Sequence, residues 1–394
     1  MSENYRVARV ALCASLAILA TACGVATTIR ASRSGASPKS QHQLGFPAEL
    51  YARSIPPDNP QTPAKIALGQ ALFVDQRLSA DNLQHCEGCH NYALGFTDQK
   101  KTSVGIDQQA GRRNAPTILN AMFNSSQFWD GRAQTLEEQA KSPILNPIEM
   151  GMKSPDEVVA KLKATPRYSE AFERVFGREI NFDDICRALA SYERTQFSFD
   201  SPFDHYMAGE GGAIDESAKR GWKIFNGNGR CIACHAWTRE RPLFTDGYFH
   251  NVGVSAAPLT HKATAIRADR DDSAQLDKLA TYSGMSDLGR YLVTHKPADI
   301  GAFRTPDLRN LLVTQPYFHD GSAATLWDVV AHFNRGGVRN PYLDSAMVPL
   351  DLSKPDEDDL VAFLASLTSP DYEQPAKAEY ERQYRLSRDA ISGR

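Results

Sequence analysis

Cys86-Glu87-Gly88-Cys89-His90 and Cys231-Ile232-Ala233-Cys234-His235 decide how this chain is read. Each stretch places two thiols about one helical turn apart and an imidazole directly after the second. Covalent haem attachment needs that arrangement: two thioethers to the porphyrin vinyl groups and a nitrogen aimed at the iron. A thioredoxin-like redox pair would need a βαβ setting, which the sequence does not signal. A zinc site would need further ligands at close spacing, and neither motif offers them. Two such motifs imply two covalently bound c-type haems.

Outward from the motifs, the sequence repeats itself faintly. Gly69-x-x-Leu72-Phe73 leads into the first motif and Gly221-x-x-Ile224-Phe225 into the second, the mark of two similar units each built around one motif. Helix signals dominate from Thr62 onward. Thr62-Pro63 is a cap followed by proline at the first helical position. Thr135 with Glu138 and Ser154 with Glu157 read as capping boxes, and Thr325 with Asp328 and Ser353 with Asp356 as weaker ones. Leu360, Val361, Leu364 and Leu367 form one stripe. Runs of alternating β-branched residues are scarce. The expected fold is all-α, with two cytochrome c-like domains joined by long loops. The N-terminal domain spans residues 61–205 and the C-terminal one 206–385, with a loop-like junction over Ser201–Ala213. Cys186, beside Ile185 and Leu189, reads as a buried small hydrophobe.

The 394 residues are 42% hydrophobic and 23% charged, which excludes a disordered chain or a small disulfide scaffold. With 44 basic and 47 acidic side chains there is no cationic excess, so nucleic acid is not an expected partner. Arg6 and Arg9 precede an uncharged stretch, Val10–Ile29, which reads as an export signal ending at residue 23. Cleavage after Ala20-Thr21-Ala22, lipid attachment at Cys23 as in a lipoprotein, and an uncleaved anchor stay open. Residues 24–60, with the Ser- and Gly-rich run Ala31–Gln43, read as a flexible tether. The expected location is periplasmic, with a membrane tether through the N-terminus or without one.

Around the motifs stand Arg113-Asn114-Ala115-Pro116-Thr117, Gln127-Phe128-Trp129-Asp130-Gly131-Arg132, Asn146-Pro147-Ile148-Glu149-Met150-Gly151, Tyr192-Glu193-Arg194-Thr195, Leu308-Arg309-Asn310 and Pro316-Tyr317-Phe318-His319-Asp320-Gly321. In order and spacing they resemble the bacterial dihaem cytochrome c peroxidases and their MauG-type relatives, over residues 60–370. The resemblance implies that peroxide reacts at the N-terminal haem, with His90 as iron ligand, and that the C-terminal haem, with His235, delivers electrons. It implies a stepping-stone role for Trp129, an acid–base role for Glu149, and distal-pocket positions for Gln139 and Pro143. It also implies a calcium ion held by the Asn114 side chain and the Thr314 and Pro316 carbonyls, a donor set of oxygens that suits calcium. A homodimer is common in the family.

The sequence departs from the family twice. The position of the histidine that blocks the peroxidatic iron falls on Ile106, and isoleucine cannot bind iron. The sixth-ligand position of the C-terminal haem falls on Phe333, on the inward stripe with Leu326, Val329 and Val330. His332 and Met347 are the remaining ligand candidates, with an open or water-bound iron as the third option. The expected function is reduction of hydrogen peroxide to water with electrons from a small cytochrome c or cupredoxin. The alternative is a MauG-type enzyme that uses a peroxide-derived ferryl haem to oxidise Trp or Tyr side chains of a partner protein. A non-catalytic dihaem electron carrier is the third reading.

Overall fold

Thr62 starts the first long helix, Pro63–Phe73. Its hydroxyl accepts from the Lys65 amide at 3.2 Å, and Pro63 sits where no amide donor is missed. This helix lies on Phe182–Glu193. The crossing point is Gly69, where a Cβ would stand 1.9 Å from the Ala188 carbonyl oxygen. The second half repeats the device. Glu216–Asn226 crosses Lys354–Ala365 at Gly221, whose Cβ would stand 1.9 Å from the Asp359 carbonyl oxygen. The repeated glycines are therefore contact points between helix backbones, each directly ahead of a Cys-x-x-Cys-His motif.

The computed structural model describes residues 37–254, 273–281 and 284–392. The proposed export signal, with Cys13 and Cys23, and residues 24–36 of the tether lie outside the described residues. The described chain is mostly helical, in keeping with the all-α reading. Its one sheet is a short antiparallel pair, Phe249–His250 with Phe303–Arg304, in the register Phe249 to Arg304 and His250 to Phe303. No helix among the described residues is long and apolar enough to cross a membrane.

The repeat extends further than the sequence pattern revealed. Gln127 bridges to Ala133 and Tyr317 to Ala323. Asn120 and Asn310 both adopt left-handed backbone, as do Phe128 and Phe318. Superposing the two turns sets Trp129 opposite His319. Each half is packed by aromatic rings. Phe73 meets Tyr192 at 5.1 Å in the first half. In the second, Phe363 lies 5.3 Å from Phe203, 5.1 Å from Trp222 and 5.0 Å from Phe225. Arg309 ties that cluster down through a buried two-point pair with Asp204, at 2.7 and 2.8 Å. Cys186 is fully buried, as its neighbours in sequence indicated.

Three local expectations are corrected. The complete capping boxes are those with aspartate at the third position, Thr325/Asp328, Ser353/Asp356 and Ser201/Asp204. Glu138 and Glu157, one methylene longer, overshoot the cap and accept from the amides of Gln134 and Lys153 instead. The Ser201–Ala213 junction is not all loop, because that box starts the helix Pro202–Met207. The described part of the 24–60 stretch is not a tether. Lys39 donates its amide to the Thr195 carbonyl, and Phe46 packs 4.6 Å from Phe197. Ala48–Arg53 forms a helix that buries Tyr51. A few aromatic anchors outweigh the polar composition by which the segment was read.

Candidate active site

The two Cys-x-x-Cys-His motifs are built alike. Cys86–Cys89 is a single helical turn and Cys231–Ala233 a tight 3₁₀ turn. None of the four thiols is in a disulfide. Their surroundings are apolar: burial first, then Asp98 and Glu149, push Cys89 up to about 11, and burial pushes Cys231 up to about 12. His90 Nδ1 meets the Phe96 carbonyl at 3.2 Å, and His235 Nδ1 meets the Phe244 carbonyl at 2.8 Å. A carbonyl only accepts, so Nδ1 carries the hydrogen; a second carbonyl, that of Pro116 for His90 and of Pro306 for His235, also lies within reach of each ring. The Nδ1 contact orients a metal-ligating histidine.

A long apolar cavity opens from His235, walled by Phe225, Leu308, Val330, Phe333, Met347 and Leu360. Arg304, 7% exposed, also lines it. Its Nη1 donates to Asn124 Oδ1 at 3.0 Å, while its buried Nε has no hydrogen-bond partner. An apolar slot with a cysteine pair at one edge and a guanidinium with a spare N–H in its wall fits a haem with its propionates. Met347 lines the cavity, whereas His332 does not, and the His332 Nε2 donates to the Val252 carbonyl at 2.8 Å.

Cys234, Asp246 and His250 also come within metal-ligating reach of one another, the only such group among the described residues. Cys234 belongs to the haem motif. His250 donates from Nδ1 to Asp344 at 2.6 Å and from Nε2 to Asp246 at 2.9 Å, so it is cationic rather than a ligand. Hydrogen bonds with Cys234, Asp344 and Asp246, against the pull of burial, push it up to about 10.

The second constellation forms on the helix Leu136–Leu145 and the turn after it. Gln139 and Pro143 are four residues apart and share a face. The chain then folds back: the Met150 amide donates to the Pro143 carbonyl at 3.2 Å, which sets Glu149 beside Pro143. Asn146 Nδ2 donates to Glu149 Oε1 at 3.3 Å. The Ile106 amide donates to the Glu149 carbonyl at 2.9 Å, and a Cβ on Gly105 would stand 2.1 Å from the Ile148 oxygen. The loop carrying Ile106 is therefore pressed against the Glu149 turn. Burial pushes Glu149 up to about 7, with Arg132 pulling down and Asp277 pushing up. A carboxyl so poised can both take and return a proton near neutral pH.

Trp129 joins the two halves. Its indole N–H donates to the Asn114 carbonyl at 2.9 Å, and its own carbonyl accepts from the Arg304 amide at 2.8 Å. Asn114, Thr314 and Pro316, the three calcium candidates, all line the same cavity as Trp129. Asn114 Nδ2 donates to the Lys100 carbonyl at 2.8 Å, which fixes the amide at that wall.

Arg113, Asp130, Arg132 and His319 stood in the sequence as landmarks without a role, and Phe303 and Asp277 were missed altogether. Phe303 and His319 stack at 3.5 Å beside Trp129, with the Arg113 guanidinium 5.5 Å from the Phe303 ring. Arg113 and Arg132 both grip Asp130, at 2.6 and 3.1 Å, and hold it at about 2 despite burial. Arg132 Nε also reaches Asp277 at 2.6 Å. The sequence signals were the landmark motifs that carry Arg113, Asp130-Gly131-Arg132 and His319.

The chain is similar to known proteins over most of its length. Residues 63–212 match the sequence profile described as di-haem cytochrome c peroxidase. The methylamine utilization protein MauG of Methylorubrum extorquens is 37% identical over 359 residues, covering 88% of this chain and 92% of that protein. Cytochrome c551 peroxidase of Pseudomonas aeruginosa is 38% identical over 304 residues, covering 76% and 78% respectively. The crystal structure of a MauG-like protein associated with microbial copper homeostasis aligns with a TM-score of 0.67 at 31% identity, over 80% of this chain and 92% of that one. The twin haem motifs, the glycine-crossed helices before them and the likeness over most of its length place the chain in the dihaem cytochrome c peroxidase and MauG family.

Proposed function

We propose that the protein reduces hydrogen peroxide to water at the haem held by Cys86, Cys89 and His90. Electrons would reach it through the haem held by Cys231, Cys234 and His235. The observation that carries this reading is Glu149, a carboxyl in a tight turn against Pro143 and Ile106, held by Asn146 and poised to ionise near neutral pH. When bound, the haem at His90 supplies the iron and the electrons that O–O cleavage requires. Glu149 takes the proton from one peroxide oxygen and delivers it to the departing one. Each turnover consumes two electrons and two further protons and yields two waters. Gln139 and Pro143 shape the pocket wall. Trp129 offers the electron route between the halves, being hydrogen-bonded into both. Met347 would be a second residue to hold the iron of the His235 haem. Asn114, Thr314 and Pro316 would hold a calcium ion. The donor is a small cytochrome c or cupredoxin, and the location is the periplasm, where c-type haems are attached. The two haem domains divide near residue 205, and a homodimer is the expected assembly.

A second reading rests on Ile106. Ile106, which cannot bind iron, stands where the loop meets the Glu149 turn, so the His90 haem needs no reductive activation. That freedom suits a MauG-type enzyme acting on Trp or Tyr side chains of a partner protein. The spectrum of the fully oxidised holoprotein tests the shared premise. We expect one high-spin and one low-spin haem; two low-spin haems would show that the His90 site is closed.

A further inference from the structure

The Glu149 turn is completed by a helix from the other half of the chain. Asp277, on Ser273–Thr281, sits 22% exposed with one oxygen 2.6 Å from Arg132 Nε, while its second oxygen accepts from the Ser142 hydroxyl. Ser142 lies on the helix of Gln139 and Pro143. One turn further on, Thr281 accepts from Asn146 Nδ2 at 3.1 Å, and Asn146 is the residue that holds Glu149. The Thr281 hydroxyl in turn donates to the Asp277 carbonyl at 2.7 Å. This helix therefore bears on Glu149 in two ways, through the nearby charge of Arg132 and through the hydrogen bond from Asn146.

Arg132 has little freedom left. Its Nη1 donates to Asp130 at 3.1 Å and its guanidinium lies 3.4 Å over the Phe128 ring. Charges face it from every neighbouring element. Asp130 is shared with Arg113, Arg290 donates to the carbonyls of Asp130 and Gly131, and Asp287 lies near Arg113. Asp130 and Asp277 balance Arg113 and Arg132. Removing the Asp277 charge leaves this set one unit more positive beside Glu149.

We propose that Asp277 is a positioning residue for the peroxide reaction, fixing Arg132 and thereby setting how readily Glu149 releases its proton. The proposal rests on the acid–base role given to Glu149 above. The carboxylic C=O stretch of Glu149, assigned as the infrared band lost in Glu149→Gln, is followed against pH in the oxidised holoprotein. The pH profile of kcat/KM for peroxide is recorded beside it. In Asp277→Asn both transitions should move to lower pH, by about one unit. Asp277→Glu, which keeps the charge, should restore both. Asp277→Ser should repeat the shift, so the result does not hang on one variant folding. Unmoved transitions in both neutral variants, with Glu149→Gln inactive, overturn the positioning role and leave the Glu149 role standing. Full turnover by Glu149→Gln overturns both.

Discussion

Glu149→Gln should lower kcat/KM for peroxide by about 10²–10⁴-fold, the usual worth of a placed acid–base group. Glutamine keeps the shape and can still meet Asn146, but it neither takes nor returns a proton at pH 7. A second readout separates chemistry from structure. The folded Glu149 sits at about 7, above its ordinary value of 4.5, because the turn buries it. A carboxyl raised on folding lends stability below its unfolded value, and that contribution is lost as pH rises through the folded one. Glu149→Gln should therefore resist unfolding better than the parent at pH 8, with the advantage fading toward pH 4.5. A variant that is inactive yet more stable at pH 8, measured by thermal unfolding and stopped-flow peroxide decay, is the expected result. A variant that is merely unstable would point to a structural role.

The second large effect is on folding. In Gly221→Ala the new methyl would stand 1.9 Å from the Asp359 carbonyl oxygen and 2.8 Å from Phe363 Cβ. Neither is the flexible end of a side chain, so the Glu216–Asn226 helix must draw back from Lys354–Ala365. That motion opens the ring cluster of Phe203, Trp222, Phe225 and Phe363. The cost should reach about 3 kcal/mol or more, the upper end for overpacked cores. Holoprotein with the second haem should accumulate poorly. Gly69→Ala should act alike on the first half, where Ala188 stands in the way. Gly212→Ala, with nothing within 4 Å of its Cβ, is the control and should leave the melting temperature unchanged.

How much of this was legible in the sequence depended on what kind of physics placed each residue. The haem motifs are fixed by covalent chemistry, which dictates spacing, so they read plainly. The Gly69 and Gly221 repeat was visible, but its meaning was not, because the partners Ala188 and Asp359 lie more than a hundred residues downstream. Phe46 and Tyr51 were lost among serines and glycines until their aromatic partners Phe197 and Phe199 were seen. Asp277 is the extreme case. Ser273–Thr281 carries an ordinary helical sequence, and its bonds to Ser142 and Asn146 each span 135 residues. No local pattern announces a contact whose other half is that distant. Spacing alone also could not show that His332 turns its Nε2 to the Val252 carbonyl, a partner 80 residues upstream.

Peroxide turnover by the purified holoprotein, with reduced cytochrome c as donor, is the most direct measurement. The oxidised enzyme should consume peroxide rapidly without a prior activation step, with two cytochromes oxidised per peroxide consumed. Absence of any reaction between the holoprotein and peroxide, with both haems in place, would contradict the peroxidase role.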